Sequence, residues 1–171
     1  MILKTHPGLL IYGHRDLLDE RYSLRDGPAR SIGMRMTRRE IEARGDLRLS
    51  DASQQIIEGV CTTGGIHPRP YPQGSSAHHV VHREGGQVPD PYADDLSLIL
   101  HVEGGVVLLC GCCHAGLRNT MATVRRLCPH EPLVGIVGGT HLGQADQAEL
   151  DALIDLLGEM GDVDLRLNHC T

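Results

Sequence analysis

Phenylalanine and tryptophan are absent from this chain, and tyrosine occurs only four times. A core without large rings has to be filled by leucine, valine, isoleucine and alanine. The same absence removes the usual stacking platforms for single-stranded nucleic acid. Positive charge is also scarce. Sixteen Lys and Arg against 22 Asp and Glu give a formal charge of −6, which argues against a broad polyanion-binding face but not against a small anion at a metal. No apolar run approaches the roughly 20 residues of a membrane-spanning helix. Residues 1–10, with Lys4, His6 and Pro7, hold no apolar segment of signal-peptide length. Nucleic acid and membrane are therefore not expected as partners. The expected location is the cytoplasm, where the six cysteines stay reduced.

A length of 171 residues and a hydrophobic content of 40% suit one domain with a real core. Leu9 to Tyr12 reads as a short strand. A polar, Arg-rich stretch follows from Arg15 to Arg39, broken at Gly27-Pro28 and Gly33. Thr37 with Glu40 three residues on is a capping box, so Thr37 to Arg44 is predicted helical, stopping at Gly45. Gln55 to Val60 reads as one strand. Pro68 to Pro91, with five prolines, reads as a long loop. From Leu96 the pattern is regular: a hairpin through Glu103-Gly104-Gly105, a helix from Gly116 to Leu127, a strand from Leu133 to Val137, a helix from Asp146 to Leu157 and a last strand from Val163. In the second helix Leu150, Leu153, Ile154 and Leu157 form the expected apolar stripe. That alternation predicts an α/β layered domain.

Three of the apolar runs end alike. Val106-Val107-Leu108-Leu109-Cys110 leads into Gly111-Cys112-Cys113-His114. Leu133-Val134-Gly135-Ile136-Val137 leads into Gly138-Gly139-Thr140-His141. Val163-Asp164-Leu165-Arg166-Leu167 leads into Asn168-His169-Cys170-Thr171. Ligands of α/β sheets gather outside the carboxyl ends of strands. Glycines let the backbone turn there, so His114, His141 and His169 would converge on one spot. Converging neutral imidazoles are a donor set for a transition metal.

Rival readings attach to the same residues. Cys110-Gly111-Cys112-Cys113-His114 matches the C-x-x-C-H pattern of haem attachment. That chemistry needs export and exposed thiols, whereas Cys110 ends a buried run. A zinc knuckle would need a second cysteine pair, with Cys128 and Cys170 the late candidates. Small packed cysteines are the better-supported reading. His78, His79 and His82 read as a solvated loop cluster, and Asp94-Asp95 as a turn pair. His14-Arg15-Asp16 lacks a second neighbouring histidine and is rejected as a ligand set.

Taken together, the turns resemble the metallo-β-lactamase superfamily. The closer likeness is to its metal-dependent hydrolase branch, which includes dihydropterin–ribofuranosylaminobenzene phosphate synthases. The matching segments are Gly111-Cys112-Cys113-His114-Ala115-Gly116 with Asn119, Gly138-Gly139-Thr140-His141-Leu142, and His169-Cys170-Thr171. Thr63-Gly64-Gly65-Ile66-His67-Pro68-Arg69, Asp94-Asp95-Leu96-Ser97-Leu98 and Ser31-Ile32-Gly33 are similar to further segments of that branch. His6-Pro7 resembles a segment that follows the family's first metal motif. That motif, His-x-His-x-Asp-His, is absent here.

The resemblance implies an αβ/βα sandwich, of which residues 1–171 would be a single, partial domain: the C-terminal part of an incomplete fold. It implies His114 and His169 as metal ligands, with His141 at a turn where relatives place a bridging carboxylate or an equivalent group. It further implies Asp95 and Asn119 as catalytic, and Arg69, Thr140 and Thr171 as substrate-binding. The implied cofactor is a divalent metal, zinc first, with iron, manganese or magnesium as alternatives. In a full enzyme of this kind two metals lower the pKa of a shared water, which attacks an ester or phosphate. In synthase-like members the metal would orient a pterin pyrophosphate instead. The expected function is thus a hydrolase or transferase of a small molecule, with a complementary N-terminal half chain or a second copy as partner. The other expectation, from a different class, is an inactive remnant serving as an interaction module.

Overall fold

In a computed structural model, which describes residues 5–168, the strands are β1 (Leu9–Gly13), β2 (Arg21–Ser23), β3 (Arg30–Ser31), β4 (Gly45–Leu49), β5 (Gln55–Ile57), β6 (Val60–Thr62), β7 (His79–Arg83), β8 (Gly86–Pro89), β9 (Leu98–Val102), β10 (Gly105–Cys110), β11 (Leu133–Gly138) and β12 (Asp164–Leu167). The helices are α1 (Arg38–Glu42), α2 (Leu117–Leu127) and α3 (Gln147–Met160), with 3₁₀ turns at Arg15–Leu18 and Leu142–Gln144. The chain divides into two compact units. One holds the described residues up to Asp51 together with Ser75–Asp94. The other holds Ala52–Gly74 and the described residues from Asp95 onward.

The second unit carries a six-stranded mixed sheet in the order β12-β11-β10-β9-β6-β5. β9 and β10 form the expected hairpin, and β10, β11 and β12 run parallel. Parallel neighbours need long crossovers, and α2 and α3 supply them. Ile99, Val106, Leu108, Leu117, Met121, Val124, Ile136 and Leu153 form the core, with no aromatic ring among them. Cys110, Cys113 and Cys128 pack into the same cluster. The cysteines at 61, 110, 112, 113 and 128 are free thiols. In α3, Asp146 caps the helix by accepting from the Glu149 N–H at 2.9 Å. Its apolar face is Leu153 with Leu156, Leu157 and Met160. Ile154, expected in the stripe, is 65% exposed, because the face that meets the sheet is turned away from it.

Two short segments differ from expectation. Gln55 to Val60 is not one strand but the tight β5–β6 hairpin, turned at Gly59 with φ +73°. The helix expected from Thr37 to Arg44 is the shorter α1, with Ala43 as its C-cap, and Gly45 opens β4.

The first unit holds two smaller sheets, a parallel β1–β4 pair and an antiparallel sheet in the order β3-β2-β7-β8. β7 and β8 fall inside the stretch expected to be loop. Val80 and Val81 are buried there, and Gly85 and Gly86, both at positive φ, make the turn. β2 is organised by charge. Arg21 is buried, and its Nε donates to Asp90 at 3.0 Å while Nη2 donates to Asp94 at 2.8 Å. Burial holds the Asp94 carboxyl above its ordinary range, and the Arg21 guanidinium offsets only part of that shift. Arg83 on β7 pairs with Asp16 and Asp19.

Candidate metal centre at the histidine turns

Register places the strand ends of the second unit side by side. Thr62 faces Leu98, Leu98 faces Leu109, and Cys110, Gly138 and Leu167 follow one another across the parallel strands. The turn after β10, the turn after β11 and the residue after β12 therefore leave one edge of the sheet together. Hydrogen bonds stitch them: the Gly139 N–H donates to the Gly111 carbonyl at 2.9 Å, and the Asn168 N–H donates to the Gly138 carbonyl at 3.0 Å. Gly138 has φ +114°, and a Cβ there would lie 2.1 Å from the Cys110 carbonyl oxygen. Only glycine allows β11 to approach β10 so closely at this point.

His114 and His141 emerge from these adjacent turns with ring centroids 4.2 Å apart, tilted by 49°. His114 Nδ1 lies 2.8 Å from the Gly74 carbonyl oxygen. A carbonyl can only accept, so Nδ1 carries the proton and the neutral ring has its lone pair on Nε2. Gly74 also lies against the second ring: a Cβ at Gly74 would stand 2.8 Å from Cδ2 of His141. Cys113 (φ +60°) and His141 (φ +48°) both adopt left-handed backbone. Such conformations cost on the order of 1–3 kcal/mol each in non-glycine residues and cluster at functional sites.

Other groups fix the first turn. Asp95 accepts the Ala115 N–H at 2.6 Å, which places a carboxylate at the start of α2, where the helix dipole favours it. Asn119 is fully buried. Its amide nitrogen donates to the carbonyls of Ala115 (2.7 Å), Tyr71 (2.9 Å) and Pro72 (3.5 Å), and its oxygen accepts from the Tyr71 N–H at 3.0 Å. Asn119 thus ties the Tyr71–Pro72 segment, and with it Gly74, to the start of α2. Gly116, at φ +90°, lets the Pro72 carbonyl pass where a Cβ would be 2.2 Å away. The Cys110 sulfur beside it and then burial push the Cys113 thiol far up. Cys113 is buried in the core cluster, with its sulfur 3.4 Å from the Thr120 hydroxyl oxygen.

Of the residues expected at the site, the structure brings His114 and His141 together and sets Asp95 and Asn119 beneath the His114 turn. Thr140 is buried next to His141. Arg69 is half-buried, with Nε on the Ile66 carbonyl at 2.8 Å and Nη1 on Gln73 Oε1 at 2.9 Å, so it braces the loop that ends at Gly74. His169 and Thr171 lie outside the described residues. The sequence reading missed Gly74, which nothing in Gln73-Gly74-Ser75 marks out. It also left Thr63 without a partner: the Ser97 N–H donates to the Thr63 hydroxyl oxygen at 2.9 Å, at the same sheet edge. The donor set fits a transition metal: two imidazoles side by side, one with its tautomer fixed by an outer carbonyl, as metal-binding histidines are held.

The solved structure of Tm1679, a metal-dependent hydrolase of the beta-lactamase superfamily, superposes with a TM-score of 0.83. The two chains share one fold. The likeness covers 99% of this chain and 63% of that one, at 21% identity. That shared fold accounts for the mixed α/β architecture. The 7,8-dihydropterin-6-methyl-4-(beta-D-ribofuranosyl)-aminobenzene-5'-phosphate synthase of Methanocaldococcus jannaschii is 26% identical over 87 residues, which is 51% of this chain and 30% of that protein. The chain thus spans less than two thirds of either relative. No family model matches it.

Proposed function

We propose that this chain carries the histidine-turn part of a metal-dependent hydrolase or transferase acting on a phosphate, pterin-type or ester substrate. The observation that carries the reading is the pairing of His114 and His141 at neighbouring parallel strand ends, with His114 held by Gly74. The names of the two relatives, a metal-dependent hydrolase and a phosphate-containing pterin synthase, support the reaction class. His114 and His141 would hold a divalent metal, with His169 as the expected third ligand. Imidazole favours zinc, iron or manganese over magnesium, which prefers oxygen. When bound, such a metal supplies Lewis acidity toward a phosphoryl or acyl oxygen.

The chain's own residues do the positioning. Gly74 keeps the His114 proton on Nδ1. Asp95 holds the turn through the Ala115 N–H, and Asn119 holds the loop that presents Gly74. Arg69 and Thr140, with Thr171, are the proposed substrate contacts. Residues 1–171 lack His-x-His-x-Asp-His, and a complementary polypeptide that carries it is proposed to complete the ligand set.

The test is turnover by the metal-stripped full chain after loading with zinc, iron or manganese. Phosphomonoester, phosphodiester and carboxylic ester substrates are offered, with and without a chain carrying the missing motif. Metal-dependent hydrolysis that disappears in His114→Ala supports the reading. Its absence with every metal, together with failure to retain metal, contradicts it. One observation favours the interaction-module reading: edge strand β12 exposes Leu165 and Leu167, and exposed apolar edges pair with other chains.

A further inference from the structure

A different group of donor side chains stands away from the histidine turns. His101 is three residues along β9 from Leu98, so it lies roughly 10 Å farther from that sheet edge. Its Nδ1 is 2.9 Å from Glu131 Oε2. Cys128, at the end of α2, turns a buried sulfur toward the same place. Ligand atoms of His101, Cys128 and Glu131 all lie within 4.8 Å of one another.

The local fold holds them there. The Glu131 N–H donates to the Cys128 carbonyl at 3.3 Å, closing a turn that brings residue 131 back over residue 128. Pro129 and Pro132 bracket it and fix φ at both positions. The Val106 N–H then donates to the Pro132 carbonyl at 2.9 Å, and Val106 is the cross-strand partner of His101. Gly105 makes that approach possible, since a Cβ there would be 2.2 Å from the Pro132 carbonyl oxygen. An exposed His–Glu pair by itself contributes little, and it does not explain a thiol aimed into the same space.

We propose that His101, Cys128 and Glu131 form a second metal site, for zinc or a similar transition ion. One nitrogen, one sulfur and one oxygen make a mixed donor set of the kind zinc accepts, and the thiolate and imidazole select against magnesium and calcium. Three protein ligands leave one coordination position open. Cys128 and Glu131 also line a cavity of about 450 Å³, walled by Met121, Leu156 and Met160.

The test is titration of the chelator-treated full chain with cobalt(II), followed by absorbance. A thiolate-to-cobalt charge-transfer band is expected. It is lost in Cys128→Ser, and its midpoint weakens roughly tenfold or more in His101→Ala. The band persists in the His114→Ala/His141→Ala double variant, which separates this site from the turns. His101 and Glu131 are exposed, so His101→Ala and Glu131→Gln keep the test decisive even if Cys128→Ser does not fold. No thiolate band in the wild-type chain, or a band indifferent to the substitutions at 101 and 131, overturns the proposal.

Discussion

Gly74 shows how a residue with no functional group can decide a site. Its carbonyl sets the His114 tautomer, and its missing Cβ leaves room for the His141 ring. Gly74→Ala keeps an allowed backbone but pushes into Cβ and Cδ2 of His141, at 2.9 and 2.8 Å. Metal affinity is expected to fall roughly tenfold as His141 is forced to shift, with a stability loss of about 1–3 kcal/mol. Metal titration alongside urea denaturation checks this, and unchanged affinity counts against the geometry. Asn119 acts in the other direction. Removing its amide in Asn119→Ala strips partners from Tyr71 and Ala115, and should cost about 2 kcal/mol in stability. Urea unfolding measures it. A neutral result would mean that the loop does not depend on Asn119.

At the scale of elements, α1 has only five residues and relies on its cap. Glu40 accepts the Thr37 N–H at 2.9 Å, and Thr37 accepts the Glu40 N–H at 3.3 Å. The Thr37 backbone, then its hydroxyl, hold the Glu40 carboxyl below the usual glutamate range. A depressed folded value means the cap's contribution is complete above the unfolded value and is lost as pH falls through the folded one. Amide exchange in the first turn of α1 should therefore speed up in mild acid, beyond the intrinsic pH effect. Glu40→Gln, which keeps an acceptor but does not titrate, should remove that extra dependence. This helix was legible because its signal is local, as were the β9–β10 hairpin, α2, and the Asp146 cap of α3. β2, β3, β7 and β8 were not legible. β2 pairs with β7, Tyr22 opposite Val80, and is held by Arg21 with Asp90 and Asp94. Short, charged strands that pair far along the chain carry too little apolar alternation to be read in sequence.

For the whole molecule, the chemistry concentrates in the unit built on the six-stranded sheet. Three apolar runs ending in small-residue turns were visible in the sequence, and two of those turns meet as expected, at His114 and His141. What sequence could not show is the support beneath them, because Gly74, Tyr71 and Pro72 come from a loop more than 30 residues earlier in the chain. No helix among the described residues is long and apolar enough to cross a membrane. The histidine turns are proposed to hold a divalent metal. Elemental analysis of the purified full chain, beside the His114→Ala/His141→Ala and His101→Ala variants, tests it most directly. The prediction is retained zinc, iron or manganese, of which the double variant loses the share held at the turns while His101→Ala keeps it. Equal metal in the wild-type chain and the double variant, or none in the wild-type chain, would mean that the histidine turns hold no metal.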